Sequence, residues 1–267
     1  MIRIIAAFGL CALSLIPLLW MVATSFKPPA EYVSTSIALW PQDPTLAHYR
    51  VLLDGGMWRL GLNSVVVALG TVGLSLLAGL PAAYALARFE LPKRFDIVFL
   101  GFVLVIKLAP PIALAIPLYQ VLRALGLLDT HLGLILANQI LALPFAIWML
   151  LGFVRDVPYS FEEAAMLDGA GFVKRLLQIV VPLLMPGLVA TAVFVAIMSW
   201  NEFLFALLFI QTPSKFTLPA FIATLINEDE TLWGKLSAMG LIASLPVLFA
   251  VGLVRRGLTR EVSVDQH

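Results

Sequence analysis

The chain contains 267 residues, of which 61% are apolar and only 12% are charged, and its mean hydropathy is +0.99. Soluble domains average about 45–50% apolar and about 25% charged residues, so this composition indicates a membrane protein. The net charge of +1 and the lack of basic runs interleaved with aromatic residues give no indication of nucleic-acid binding. The single cysteine, Cys11, and three scattered histidines provide neither a disulfide nor a metal site.

Apolar runs of about twenty residues recur along the chain, which is the length that a helix needs to cross a bilayer. We predict one all-α membrane domain, residues 1–267, with six transmembrane helices. The predicted spans are 4–26, 62–87, 97–118, 132–153, 183–210 and 236–254. A cleaved signal peptide is the alternative for the first run, but such peptides have a shorter apolar core of about 7–15 residues.

The second span carries a stripe of small residues. Thr71, Ser75, Gly79, Ala83 and Ala87 recur every four positions and therefore share one helical face. Small side chains allow two helix backbones to approach closely in a membrane. The stripe predicts a packing face.

Several polar residues fall inside predicted spans, where they are costly and commonly face a bundle interior or a water-filled path. Lys107 lies near the middle of the third span and Glu202 lies in the fifth. They have opposite charge, so they are candidates either for an ion pair or for the lining of a substrate path. Asn138 and Gln139, in the fourth span, have the same two interpretations: they bond neighbouring helices or they line the path.

The tripeptide Trp200-Asn201-Glu202 places an indole beside an amide and a carboxylate. An indole stacks on the apolar face of a sugar ring while the polar groups bond its hydroxyls, so the tripeptide is a candidate for the substrate path. The alternative is an interfacial tryptophan with polar neighbours.

The segment between the fourth and fifth spans is polar but has strong helix signals. Ser160 followed by Glu163 predicts a capping box at a helix start. Asp168-Gly169 predicts the end of that helix, because glycine accepts the left-handed backbone of a helix cap. A second amphipathic helix is predicted over 172–181, ending at Pro182.

Six spans place both termini on one side of the membrane. With the termini in the cytoplasm, ten Lys and Arg residues lie in cytoplasmic segments and six lie in outer loops. The cytoplasmic residues are Arg3, Arg88, Lys93, Arg94, Arg155, Lys174, Arg175, Arg255, Arg256 and Arg260. The positive-inside rule therefore predicts that both termini and residues 155–182 are cytoplasmic.

The same segment carries a motif. Glu163-Ala164-Ala165, Gly169, Ile179 and Pro182 match the pattern EAA, G and I-LP of the membrane subunits of ABC importers, with Val181 where Leu is usual. The chain thus resembles a type I ABC importer permease, and the resemblance implies a coupling helix that docks on a cytosolic ATPase. The residues that this implies for ATPase coupling are Glu162, Glu163, Ala164, Ala165, Asp168, Gly169 and Gly171.

Within that family, Trp200 to Leu204 and Gly257-Leu258-Thr259 resemble the carbohydrate-uptake permeases, and most closely the smaller membrane subunit of maltose-type importers. The resemblance implies transport of a sugar, polyol or related glycoside. It also implies that Asn227, Glu228 and Trp233 contact an extracytoplasmic binding protein, although a solvated loop is equally consistent with the sequence. After Thr259 the chain departs from the family pattern.

The chain has no phosphate-binding loop, because its only Gly-Lys pair, at Gly234, is followed by Leu236 rather than by Ser or Thr. We therefore expect no enzyme activity and no bound cofactor, with ATP and Mg²⁺ held by a partner ATPase. The resemblance implies a bacterial inner-membrane assembly with a second permease, two ATPase copies and a binding protein. The alternative function is a secondary transporter for a polar solute.

Overall fold

The computed structural model describes residues 2–32, 39–89, 94–225 and 233–262, and every regular element in these ranges is helical. The α-helices are α1 Ile2–Ser25, α2 Pro29–Tyr32, α3 Ala47–Asp54, α4 Met57–Arg88, α5 Phe95–Leu108, α6 Pro111–Ala124, α7 His131–Asp156, α8 Ser160–Leu167, α9 Phe172–Arg175, α10 Val181–Leu183, α11 Met185–Asn201, α12 Leu204–Phe209, α13 Leu218–Thr224 and α14 Trp233–Val262. A π-helical turn, Leu176–Val180, joins α9 to α10, and a 3-10 turn, Pro213–Lys215, follows α12.

Helices α4 and α7 pack along each other at the centre of the fold, with α11 against both and α14 against α1. The small-residue stripe of α4 forms this contact: Thr71, Ser75, Gly79 and Ala83 are all buried. A Cβ added at Gly79 would stand 3.6 Å from the side chains of Ala146 and Ile147 of α7. The predicted packing face is confirmed for these four positions.

Three described helical stretches are each long and apolar enough to cross a membrane, namely Met57–Arg88, His131–Asp156 and Trp233–Gly252. Two bent pairs, Ile97–Leu108 with Pro111–Ala124 and Phe172–Leu183 with Met185–Asn201, raise that number to five if each counts as one span. The first predicted span, 4–26, overlaps α1, of which Leu13–Ser25 is a shorter apolar helix. Apolar helices therefore dominate, as the composition predicts.

Two predicted spans are not single helices. The third, 97–118, is divided at Ala109 and Pro110, and its halves α5 and α6 meet at 98°. Pro110 and Pro111 provide no backbone N–H for helix bonds, which explains the break. The fifth, 183–210, is divided at Glu202 and Phe203 between α11 and α12.

An ion pair closes the loops at the end of α7 that is far from α8. Asp129, whose φ is 58°, accepts hydrogen bonds from the N–H groups of Gln211 and Thr212, each at 2.9 Å, and from the Thr212 hydroxyl at 2.7 Å. Lys215 Nζ lies 2.8 Å from the Asp129 carboxylate. These interactions, first of all the Lys215 bond, hold the pKa of Asp129 well below its usual range. We call Asp129, Gln211, Thr212 and Lys215 the loop clamp.

Candidate functional site

Helix α8 carries the motif and differs in its first turn from the prediction. The residue before the helix is Tyr159, and no side chain caps it. The N–H of Glu163 donates to the Tyr159 carbonyl at 3.0 Å, so Ser160 lies inside the first turn and the predicted capping box is wrong. The helix starts one residue too early for the Ser160 hydroxyl to act as the cap.

The end of α8 follows the prediction. Gly169 has φ +75°, and its N–H donates to Met166 O at 3.0 Å. The N–H of Ala170 donates to Ala165 O at 2.9 Å. This pair of bonds is a Schellman motif, which requires the left-handed backbone that glycine adopts readily.

One face of α8 points away from the rest of the molecule. It consists of the exposed side chains of Phe161, Glu163, Ala164, Leu167 and Asp168, which we call the docking face. Leu167 is 90% exposed. Gly169 and Gly171 are also exposed, whereas Ala165 is buried. An apolar and acidic face in a polar segment is suited to contact with another protein.

Glu162, which the resemblance also implies for ATPase coupling, points away from the docking face and is buried. Its residue is 0% exposed, and its carboxylate accepts hydrogen bonds from Tyr84 Oη and from Arg88 Nε, the latter at 2.7 Å. The counter-charge compensates for burial of the carboxylate. Sequence reasoning missed Tyr84 and Arg88, because both belong to α4 and lie more than seventy residues away.

The residues that follow α8, from Phe172 to Val180, pack against the end of α4 on the side away from the docking face. The Phe172 ring stands edge-on to the Tyr84 ring at 5.2 Å between centroids and stacks on Phe89 at 5.8 Å. Leu176 and Val180, in the π-helical turn, are buried in the same cluster as Tyr84. The docking face therefore rests on a packed base rather than on a free loop.

The polar residues of the fourth span lie between α4, α7 and α11. Gln139 accepts the Ser75 hydroxyl at 2.7 Å and donates to Thr71 O at 3.2 Å, so it bonds a neighbouring helix. Asn138 donates to Ser199 Oγ at 3.1 Å, while its own Oδ1 is buried without a protein partner. That interface contains a cavity of about 30 Å³, which Asn138, Ser199 and Glu202 help to line.

The tripeptide at the end of α11 divides into separate contacts. Trp200 is buried, and its Nε1–H donates to Ala243 O of α14 at 3.0 Å. Asn201 is exposed and donates to Ile197 O at 2.9 Å. The Glu202 carboxylate accepts the N–H of Phe205 at 2.7 Å and thus caps the start of α12.

Lys107 and Glu202 do not form the ion pair that was one of their two interpretations. Lys107 Nζ instead lies 4.2 Å from the centroid of the Phe145 ring of α7, a cation–π contact. Glu202 is occupied by backbone N–H groups. Of the residues expected to contact a binding protein, Asn227 and Glu228 lie outside the described residues, and Trp233 is exposed at the start of α14.

Comparison with known proteins identifies relatives over most of the chain. The family model described as "Binding-protein-dependent transport system inner membrane component" matches residues 75–264. The chain is 35% identical over 251 residues to the sulfoquinovosyl glycerol transport system permease protein SmoH of Agrobacterium fabrum, a match that covers 94% of this chain and 87% of that protein. It is also 35% identical over 247 residues to the trehalose transport system permease protein SugB of Mycobacterium tuberculosis, covering 91% and 88%.

The architecture has a counterpart among solved structures. A chain in the crystal structure of a bacterial ABC transporter involved in the import of the acidic polysaccharide alginate superposes with a TM-score of 0.76 at 26% identity. The match covers 95% of this chain and 93% of that one. The similarity therefore extends over the whole arrangement of helices.

Proposed function

The chain belongs to the family of inner-membrane components of binding-protein-dependent transport systems, and we propose that it carries a sugar or related glycoside in an ABC importer. Within this family it is a transport subunit and not an enzyme, and it works with an ATPase and a binding protein. The observation that carries the proposal is the docking face of α8, which presents Glu163 and Ala164 of the family motif outward on a packed base.

The docking face is the proposed contact with the ATPase. Leu167 and Phe161 supply apolar area, and Glu163 and Asp168 supply negative charge for a basic rim. ATP binding closes the ATPase subunits and displaces α8, and the displacement moves the spans around the substrate path. Such coupling requires that the two ATPase states make different contacts with α8, because equal contacts would shift no equilibrium.

The proposed substrate class is supported by the relatives and by the polar groups inside the bundle. Two relatives are named for the transport of trehalose and of sulfoquinovosyl glycerol, both of which are glycosides. The cavity at Asn138 and Glu202 leaves one amide oxygen free to accept a hydroxyl. Lys107 contacts Phe145, which is about two helical turns from Asn138 on α7, and we assign Asn138, Glu202 and Lys107 to the path lining.

The proposed assembly contains this chain, a second homologous permease, two copies of a cytosolic ATPase and an extracytoplasmic binding protein. ATP and Mg²⁺ belong to the ATPase. Both termini and α8 face the cytoplasm, which is the arrangement that places ten of the chain's positive charges on that side.

Site-directed cross-linking tests the ATPase contact. In a background with Cys11→Ser, which removes the only cysteine, Leu167→Cys should cross-link to the ATPase in the assembled complex. Trp58→Cys is the matched control, because its side chain is also exposed but the proposed topology places it outside. Cross-linking from Trp58→Cys, or none from Leu167→Cys in an active complex, would contradict the proposal.

Uptake of a panel of labelled mono- and disaccharides and glycosides tests the substrate class. Asn138→Leu should change the preference among the sugars that are transported or raise their KM, with normal assembly. Ser75→Ala is the control, because Ser75 bonds Gln139 at the same interface and is absent from the cavity lining. If no sugar in the panel is transported while another solute is, the substrate class is wrong.

A further inference from the structure

One guanidinium at the end of α4 contacts three parts of the fold. Arg88 Nε lies 2.7 Å from the Glu162 carboxylate of α8. Arg88 Nη2 donates to Val154 O at 3.1 Å and to Val157 O at 2.8 Å, which are the last carbonyls around the end of α7. A single side chain thus ties the ends of α4 and α7 to the first turn of α8.

The partner carboxylate is bonded through both of its oxygens. Both oxygens of Glu162 are bonded, one to Arg88 and one to Tyr84, and the residue is fully buried. Glu163, its neighbour, is exposed on the docking face. The two adjacent glutamates therefore face opposite sides: the side chain of Glu163 faces solvent, and that of Glu162 faces the membrane helices.

We propose that Arg88, Glu162 and Tyr84 form a lock that makes α8 move as one body with the ends of α4 and α7. The inference rests on the proposed function of the docking face and adds the route by which its motion enters the membrane. Separation of a buried carboxylate from its cation would leave an uncompensated charge, so the lock resists partial displacement. A displacement of α8 therefore also displaces the packed pair α4 and α7. Away from α8, this pair contains Thr71, Asn138 and Gln139. Arg88 and Tyr84 are positioning residues, since they act through Glu162.

The test measures solute transported per ATP hydrolysed by the complete importer in proteoliposomes. Glu162→Gln keeps the size of the side chain and removes its charge. We expect this ratio to fall about tenfold, within the usual range of coupling between sites. The yield of the Leu167→Cys cross-link to the ATPase should stay unchanged. Asp156→Asn is the matched control, because it makes the same acid-to-amide change at an exposed position at the same end of α7, and it should keep the wild-type ratio.

A second variant separates the lock from a general loss of stability. Arg88→Met combined with Glu162→Leu removes both charges together and leaves neither buried alone, which commonly preserves the fold. The double variant should assemble with the ATPase and still show the reduced transport per ATP. An unchanged ratio in both the single and the double variant would overturn the lock. Loss of the ATPase from the Glu162→Gln complex would also overturn it, because Glu162 would then belong to the docking surface.

These outcomes distinguish the lock from the proposed function. If the wild-type chain does not associate with an ATPase, the proposed function itself fails. If the wild-type importer couples normally and the Glu162 variants couple equally well, only the lock fails.

Discussion

The two ends of α7 are each held by an ion pair, and the two pairs differ in burial rather than in length. At one end, Arg88 and Glu162 approach to 2.7 Å, with side chains 11% and 0% exposed. At the other end, Lys215 and Asp129 approach to 2.8 Å, with side chains 44% and 23% exposed. Distance alone would rank them equal. Burial predicts that breaking the first is costly and that the second contributes little.

The difference also separates what the two ends do. The lock joins membrane helices to the helix that carries the docking face, and it does so through a buried contact. The loop clamp joins two connecting segments to each other, and four of its bonds go to one carboxylate. We infer that force passes through the first end, whereas the second fixes the shape of a loop.

The largest expected effect is at the buried pair. Arg88→Ala should lower the free energy of unfolding by about 3–5 kcal/mol, because it leaves the Glu162 carboxylate buried without a cation. Thermal unfolding of the purified complex in detergent measures this loss. The double variant Arg88→Met with Glu162→Leu serves as the control and should lose much less. Equal losses in the two variants would show that packing, rather than the unpaired charge, accounts for the effect.

Close packing at the clamped end should give the next largest effect. A Cβ at Gly133 would collide with the carbonyl oxygen of Leu127, which is backbone and has little freedom to move. Gly133→Ala should therefore destabilise the chain by about 1–3 kcal/mol, measured by the same thermal unfolding. Gly152→Ala, on the same helix, meets no atom within 4 Å and should be neutral or slightly stabilising. A neutral Gly133→Ala would mean that the loop adjusts.

The exposed pair should matter less. Asp129→Asn keeps an acceptor for the N–H groups of Gln211 and Thr212 and loses the attraction to Lys215, so the cost should be about 0–1 kcal/mol. Unfolding at low and at high salt measures it, because salt screens an exposed pair. A loss as large as that of Arg88→Ala would remove the contrast between the two ends.

The smallest effect is the pH dependence of the loop clamp. The pKa of Asp129 is lower in the folded chain than the value of about 3.9 expected when it is unfolded. Its contribution to stability is therefore complete above that unfolded pKa and is lost as the pH falls through the folded pKa. Stability profiles of wild type and Asp129→Asn should converge only in strong acid. Convergence near neutral pH would contradict this assignment.

Local signals in the sequence predicted the parts of the site that depend on neighbouring residues. The end of α8 at Gly169 needs only a residue that accepts positive φ. The small-residue stripe on α4 was also readable, because helical periodicity places those residues on one face whatever the partner helix is. Glu163 and Ala164 of the motif lie on the docking face, while their role in ATPase coupling stays a prediction.

Other features depend on residues distant in sequence and had no local signal. Glu162 and Glu163 look equivalent in the sequence. Only the contact with Arg88 of α4, which is distant in sequence, distinguishes the buried Glu162 from the exposed Glu163. The break between α11 and α12 falls at Glu202, which the sequence indicates as a candidate residue of the substrate path and not as a helix cap. Trp200 was interpreted as a stacking surface for a sugar, but its indole N–H donates to a carbonyl of α14.

The π-helical turn, Leu176–Val180, has a consequence for insertions and deletions. The N–H of Val181 bonds the carbonyl of Leu176, five residues back, so this turn holds one residue more than an α-helical turn. Deletion of that extra residue would restore α-helical spacing and turn everything on its amino-terminal side by about 100° relative to α11. The motif sequence would be unchanged, but the docking face would point in a different direction. If the motif contacts an ATPase as proposed, the spacing between the motif and the membrane helix matters for that contact as much as the identity of the motif residues.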